Sequence, residues 1–107
     1  MARPILWAPS AERDVGRAWA YIKQRSAPAA GALVRRIVAT VDRLGDQPDL
    51  GRPADDIEPV GRYRAVVCAP YRIVYRVTEA EILVLRVWDT RRDPTEFQVR
   101  EQMEEDE

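Results

Sequence analysis

The sequence predicts an α+β domain of order β-α-α-β-β-β, an antiparallel sheet with a helical hairpin packed on one face. Three observations predict it. Residues 10–44 hold two runs whose apolar side chains recur at three- and four-residue spacing, the period of an amphipathic helix. Residues 62–88 hold three runs of alternating character, the period of a strand. Helices gathered ahead of an antiparallel meander pack together on one side of it.

Each element has its own local reason. Ile5-Leu6-Trp7 reads as a short strand. Ser10 reads as the N-cap of the first helix, with Glu12 and Asp14 placed favourably in its first turn. Val15, Ala18, Trp19 and Ile22 form that helix's apolar stripe. Ser26-Ala27-Pro28 ends it, and Ser26 caps a second helix whose first turn tolerates Pro28. Ala30, Leu33, Val34, Ile37, Val41 and Leu44 line one face of the second helix, which Gly45 and Pro48 stop. Residues 46–60, with three prolines and a glycine, read as a loop. Strands follow at about 62–69, 71–78 and 82–88.

Alternation then assigns faces. Tyr71, Ile73, Tyr75 and Val77 share the side a core wants, and Arg72, Val74 and Arg76 share the other. In the last strand Leu83, Leu85 and Val87 alternate with Ile82, Val84, Arg86 and Trp88. Carried across the meander, the face without helices is expected to show Arg64, Val66, Arg72, Val74, Arg76, Val84, Arg86 and Trp88. Such a surface, half apolar and half guanidinium, suits an anionic or carboxylate-rich partner, because arginine grips carboxylates through two parallel hydrogen bonds. The candidate contacts are Arg62, Arg64, Arg72, Arg76, Arg86, Trp88, Arg91 and Arg92. Arg62 and Arg64 flank Tyr63, and arginine and tyrosine dominate interface hot spots. Arg72 reads equally as a surface arginine paired with an acid across the sheet, and Trp88 first as a core or rim aromatic. Trp7, Trp19 and Tyr75 read as core.

Composition narrows the chemistry further. The 107 residues suit a single domain, expected over 1–95, with an acidic tail over 96–107 as a short helix or disordered segment. Residues 101–107 carry five acids and no base, whereas the remainder holds 17 bases against 13 acids. No apolar run approaches the roughly 18–20 residues of a membrane span, and no signal-peptide core follows Met1, so the cytoplasm is the expected location. The chain has no histidine and a single cysteine, Cys68, in a predicted strand. A Ser-His-Asp triad and a Cys/His zinc site are therefore excluded, as is an intrachain disulfide. No glycine-rich phosphate loop is present. Asp55, Asp56 and Glu58 sit on a Pro/Gly-rich loop and read as solvated. No cofactor and no metal are expected.

Several segments, in order, resemble the ParE/RelE superfamily of bacterial type II toxins. Trp19-Ala20-Tyr21-Ile22 with Ser26-Ala27-Pro28-Ala29-Ala30 is similar to the family's helix junction, and Leu44–Pro48 with Gly51-Arg52 to its following loop. Gly61-Arg62-Tyr63-Arg64 and Tyr71–Val77 resemble its central strands. Val84–Val87 with Trp88, Asp89, Thr90 and Arg91-Arg92-Asp93-Pro94 resembles its last strand and exit. The similarity spans residues 5–94. ParE-like chains often carry histidine after the last strand, where Asp89 stands here.

The resemblance implies one of two activities. The RelE-like branch cleaves messenger RNA on the ribosome with lysines, arginines and a C-terminal tyrosine; the ParE-like branch is associated with poisoning DNA gyrase. Here the position of the second RelE-like lysine corresponds to Val66, and that of the terminal aromatic to Phe97, which has no hydroxyl. Lys23 is the only lysine. Arg64, Arg72 and Arg91 remain to stabilise charge, but arginine stays protonated and moves protons poorly. The resemblance thus favours a ParE-like, non-catalytic toxin of the plasmid-stabilisation kind. It would bind a protein target, DNA gyrase, and be neutralised by a cognate antitoxin bringing an acidic amphipathic segment that folds on binding. Direct nucleic-acid binding and a membrane are not expected. The alternatives are a RelE-like ribosome-dependent endonuclease and a non-toxic binding module of the same fold.

Overall fold

A computed structural model describes residues 2–99. The chain runs β1 (Ile5–Trp7), α1 (Pro9–Lys23), α2 (Ala27–Leu44), β2 (Arg52–Pro53), β3 (Arg64–Cys68), β4 (Tyr71–Val77) and β5 (Ile82–Asp89), then a 3₁₀ turn at Pro94–Glu96. The α+β class and the helical hairpin on one sheet face are as expected. The sheet has five strands in the order β1-β5-β4-β3-β2, because Arg52 and Pro53, expected in a loop, pair with Ala65 and Arg64. β1 closes the opposite edge, running parallel to β5 from Ile5↔Ile82 to Trp7↔Val84. Among the described residues no helix is long and apolar enough to cross a membrane.

α2 buries its stripe as its spacing predicts, whereas in α1 the buried line runs through Ala11, Asp14 and Ala18, with Val15 and Ile22 only partly covered. Ala11 and Ala18 from α1 and Leu33, Ile37 and Val41 from α2 pack on Tyr71, Ile73, Val84 and Val87. Each fully buried aliphatic side chain contributes about 1.5–3 kcal/mol. Ser26 caps α2 as expected, accepting a 3.1 Å hydrogen bond from the Ala29 N–H. Ser10 does not cap α1: Ala8 occupies the cap position, Pro9 begins the helix, and the Ser10 hydroxyl donates instead to the Leu85 carbonyl at 2.7 Å. Gly45 follows α2 in right-handed helical geometry, so its role is closeness rather than a left-handed turn; a Cβ there would lie 2.9 Å from the Arg3 carbonyl oxygen. Trp19 is 39% exposed rather than core, with the Lys23 ammonium 4.4 Å above its ring. Trp7 is partly buried against the hairpin core, and Tyr75 is fully buried as expected.

The expected face assignment fails on two of the three meander strands. Directly paired residues on antiparallel strands point the same way. The short Ala69-Pro70 turn pairs Cys68 with Tyr71, so Arg64 lies opposite Tyr75 and Val66 opposite Ile73. Arg64 and Val66 therefore face the hairpin side, and Ala65 faces away with Val74. In β5 the ladder slips between Val74↔Arg86 and Tyr75↔Val84. This bulge takes in Leu85 and reverses the parity. Val84 thus points to the hairpin, while Leu83, Leu85, Arg86 and Trp88 lie on the far side.

Nor is that far side bare. Ala54, Ile57 and Tyr63 from the 54–63 loop, with Phe97 and Val99, pack onto Val74, Leu83 and Leu85 as a second small core. An exposed apolar sheet face is costly in water, and this loop and the returning chain remove it. The boundary expected at residue 95 consequently falls inside packed structure. The remainder of the expected tail, 100–107, lies outside the described residues.

Candidate functional site

Beyond the Trp7–Val84 pair, the outer edge of β5 has no neighbouring strand among the described residues. The first half of α1 runs along that edge and satisfies it. The Ala8 N–H donates to the Val84 carbonyl at 2.8 Å, the Ser10 hydroxyl takes the Leu85 carbonyl, and the Val87 N–H donates to Asp14 Oδ2 at 2.9 Å. Asp14, only 8% exposed, also accepts two hydrogen bonds from Arg86, Nε to Oδ2 at 2.7 Å and NH2 to Oδ1 at 3.0 Å. A buried carboxylate needs this density of donors. It fixes the helix against the sheet and sets the position of the residues beyond it.

Those residues form a cleft of about 520 Å³. α1 supplies Arg17 and Tyr21, β4 supplies Tyr71, and the exit of β5 supplies Asp89, Arg91 and Arg92. Arg91 grips Asp89 through two bonds of 3.0 and 2.9 Å, and the Arg91 N–H adds a third at 2.9 Å. These bonds hold the Asp89 carboxyl below the usual aspartate range. Burial, and then the Asp89 charge, push the Tyr71 hydroxyl above the usual tyrosine value. Tyr21 is 56% exposed, an aromatic offered to solvent at the mouth.

The expected contact residues divide between this cleft and other surfaces. Arg91 and Arg92 line this cleft, and beyond it Arg92 and Arg86 both stand over the Trp88 ring. The Arg92 guanidinium lies 4.6 Å over the Trp88 ring and pairs with Glu96 at 3.1 Å. Phe97 meets Trp88 edge-on at 5.1 Å, leaving Trp88 only 6% exposed. Arg72 stands directly opposite Trp88 on the far face, whereas Arg62, Arg64 and Arg76 are elsewhere. Arg62 stacks 5.9 Å over Tyr63, and Arg64 donates to the Gly51 carbonyl at 2.6 Å on the hairpin side. Arg72 is held by Asp56 through bonds of 2.8 and 2.6 Å, and Arg76 lies opposite Leu83 towards the far end of β4. A single arginine-studded platform is therefore corrected to a smaller cluster at one sheet end, because the strands change parity and the guanidiniums find internal partners.

Arg17, Tyr21 and Asp89 line the cleft without being among the expected contacts, and Asp14 is expected only as a first-turn acid. Asp14 was detectable: it shares the buried stripe with Ala11 and Ala18, where an unpaired acid is not tolerated. Arg17 and Tyr21 stand one turn apart on the next strip of the helix.

The paired carboxylates give an acid-sensitivity. The hydrogen bonds from Arg72 and Arg91 lower the folded-state values of Asp56 and Asp89. Their stabilisation is complete above the ordinary aspartate value, about 4, and is lost as pH falls through the lowered values. Melting temperature should fall with acidification below about pH 4, and the double variant Arg72→Gln/Arg91→Gln should show a shallower fall. Equal slopes in the two proteins would remove these pairs from the account.

The geometry can be set beside known proteins. No curated protein matches the sequence. A chain of the solved chromosomal ParDE toxin–antitoxin system from P. aeruginosa is 22% identical, with a TM-score of 0.66 over 80% of this chain and 94% of that one. A chain of the RelBE2 toxin–antitoxin complex from Mycobacterium tuberculosis is 20% identical, with a TM-score of 0.57 over 81% and 96%. At such identities the two show a shared fold. The model of the family described as the ParE toxin of the type II toxin–antitoxin system parDE matches residues 5–94, from the first strand to the turn after β5, and by that match the chain belongs to the ParE toxin family.

Proposed function

We propose that this type II toxin acts by binding a protein target, DNA gyrase in the cytoplasm, without turnover, and that an antitoxin silences it by occupying the cleft beside α1. One observation supports this reading above the others. The two cleft groups that could exchange a proton move away from neutrality, with Asp89 pushed down by Arg91 and Tyr71 pushed up by burial, and three arginines stand beside them. Cleaving RNA through its 2′-hydroxyl needs a base and an acid that exchange protons near pH 7. Val66 packs against the hairpin core and Phe97 against Trp88, so the two RelE-like positions supply packing and no proton.

Binding, by contrast, uses what the cleft has. Arg17, Arg91 and Arg92 offer guanidiniums to carboxylates, and Tyr21 and Tyr71 offer apolar ring surface to an amphipathic segment. An acidic antitoxin helix meets both requirements, and the same contacts serve a carboxylate-bearing target.

The test uses purified protein in two assays, gyrase supercoiling and cleavage of ribosome-bound mRNA. Inhibited supercoiling with intact mRNA is the expected result. Cut mRNA with unaffected gyrase would move the chain to the RelE-like reading, and normal growth on expression of soluble protein would make it a non-toxic module. Tyr21→Ala and Arg17→Ala remove exposed side chains and should leave the melting temperature within about 2 °C, yet together weaken gyrase inhibition by about tenfold or more.

A further inference from the structure

The cleft beside α1 does not end at Tyr71 and Arg91. Both residues also line a second hollow of about 360 Å³, with Ile22, Leu33, Arg36 and Pro70. Arg36 in turn lines a third, about 480 Å³, with Ala39 and Arg43 of α2 and Val67, Cys68 and Ala69 at the end of β3. The hollows follow one another along the sheet end where β3 and β5 finish and β4 begins. Among the described residues no acid lines the second or the third, although Arg36, Arg43 and Arg91 do. Asp42 and Asp46, the acids nearest Arg43 in sequence, line neither. Arg43 is exposed and has no ion pair or hydrogen bond among the described residues. Arg36 donates to the Ala69 carbonyl at 3.0 Å and meets no carboxylate among them. Arg91 alone is neutralised, by Asp89.

The third hollow also opens on a sheet edge. β2 pairs with Arg64 and Ala65 of β3 and reaches no further. In an antiparallel pair alternate residues turn both peptide groups to the same side. The Ala54 N–H donates to the Tyr63 carbonyl, so Tyr63, Ala65 and then Val67 turn their N–H and C=O towards this edge. Past Ala65 no strand meets them among the described residues. The Val67 side chain is 70% exposed. An open edge of this kind is a template for one more strand.

We propose that an extended acidic segment of a partner protein docks here as an added strand on the outer edge of β3, its backbone pairing with Val67 and its carboxylates reaching Arg36 and Arg43. Charge selects this occupant over a second copy of the chain, which would set like guanidiniums against one another. A nucleic-acid strand answers the arginines but offers no peptide ladder to the edge and no aliphatic surface to Val67 and Ala39. Alternation suits a strand to the task, because one side can carry acids and the other apolar groups. That the segment continues from the occupant of the cleft, and so belongs to the antitoxin, rests on the reading above. The docking edge itself stands whether or not gyrase is the target.

The probe is an acetylated, amidated octapeptide of alternating glutamate and valine, titrated into the full chain and followed by amide NMR and hydrogen exchange. Binding should shift the amides of residues 66–69 and slow exchange at Val67. The same peptide N-methylated at every peptide bond keeps its charge and should lose both effects. Arg36→Gln/Arg43→Gln should weaken the parent peptide by about fivefold or more, two exposed ion pairs being removed together. Arg43→Gln alone removes a side chain that nothing holds, so it should keep the native melting temperature and still weaken binding. Shifts centred on another surface, equal binding of the N-methylated peptide, or single-stranded octathymidylate moving residues 66–69 where the peptide does not, overturn the proposal. The gyrase and mRNA assays are separate readouts: cut mRNA would sink the target reading and leave the titration standing, and a failed titration would leave the gyrase result standing.

Discussion

Asp14→Ala is expected to cost about 3–5 kcal/mol of folding stability, the range for breaking a buried ion pair by removing one partner. The side chains of Asp14 and Arg86 are 6% and 13% exposed. Without Asp14 the Arg86 charge stays buried against the Gln98 carbonyl and the neighbouring Trp88 and Phe97 rings, with no carboxylate bonded to it among the described residues. The Val87 N–H also loses its acceptor. In a domain this size each kcal/mol moves the melting temperature by about 4–8 °C, so the variant should melt at least about 12 °C lower. Replacing both partners together, Asp14→Leu/Arg86→Met, removes the orphaned charge and should recover part of that loss, leaving chiefly the unpaired Val87 N–H. Urea midpoints for the two variants and the native chain decide the matter. A single variant no worse than the double would mean that the pair holds nothing beyond its own volume. Activity carries a second signature: α1 positions Arg17 and Tyr21, so Asp14→Ala should lose target binding even at temperatures where it remains folded.

The two helices and three meander strands were legible because their periods are local properties. Leu33, Ile37 and Val41 recur at helical spacing, and Ile73 and Tyr75 at strand spacing, in any environment. Which face each strand shows is not local. It depends on the Cys68–Tyr71 pairing across the turn and on the bulge at Leu85, and each shifts parity by one residue. Arg64 and Val66 were misplaced by the first and Val84, Leu83 and Leu85 by the second. The arginine pairs were equally hidden. Asp56 reaches Arg72 from a loop 16 residues earlier, and Asp14 reaches Arg86 across 72, and no spacing rule connects them. Of the expected contacts, Arg86, Trp88, Arg91 and Arg92 lie on one continuous stretch through and just past the end of β5, where the chain's local geometry keeps them near one another.

Gly51→Ala is the second change expected to be severe, at about 3 kcal/mol or more. The reason is proximity, not backbone freedom. A Cβ at Gly51 would stand 2.6 Å from the Ala65 carbonyl oxygen and 2.8 Å from the Tyr75 hydroxyl. The first is backbone of a paired strand. The second belongs to a fully buried ring that cannot swing away. Gly51 is also where three connections meet: its N–H donates to the Tyr75 hydroxyl at 2.9 Å, that hydroxyl donates to the Pro48 carbonyl at 2.7 Å, and the Gly51 carbonyl receives Arg64. Pushing Gly51 away releases all three, then the short β2 pairing, and with it the 54–63 loop that covers the far sheet face. Tyr75→Phe cuts only the two hydroxyl bonds and leaves one buried N–H and one carbonyl without partners, at about 1–3 kcal/mol apiece. Since both substitutions break the Gly51–Tyr75 bond, the double variant should fall short of their sum. Hydrogen exchange should show protection lost first over residues 52–67 in Gly51→Ala, with the α1 cleft still protected at moderate temperature. A variant that melts with native cooperativity and native exchange over 52–67 would show that the loop can yield by the missing few tenths of an ångström. The far-face cover would then depend on the apolar grip of Ala54, Ile57 and Tyr63 rather than on this junction.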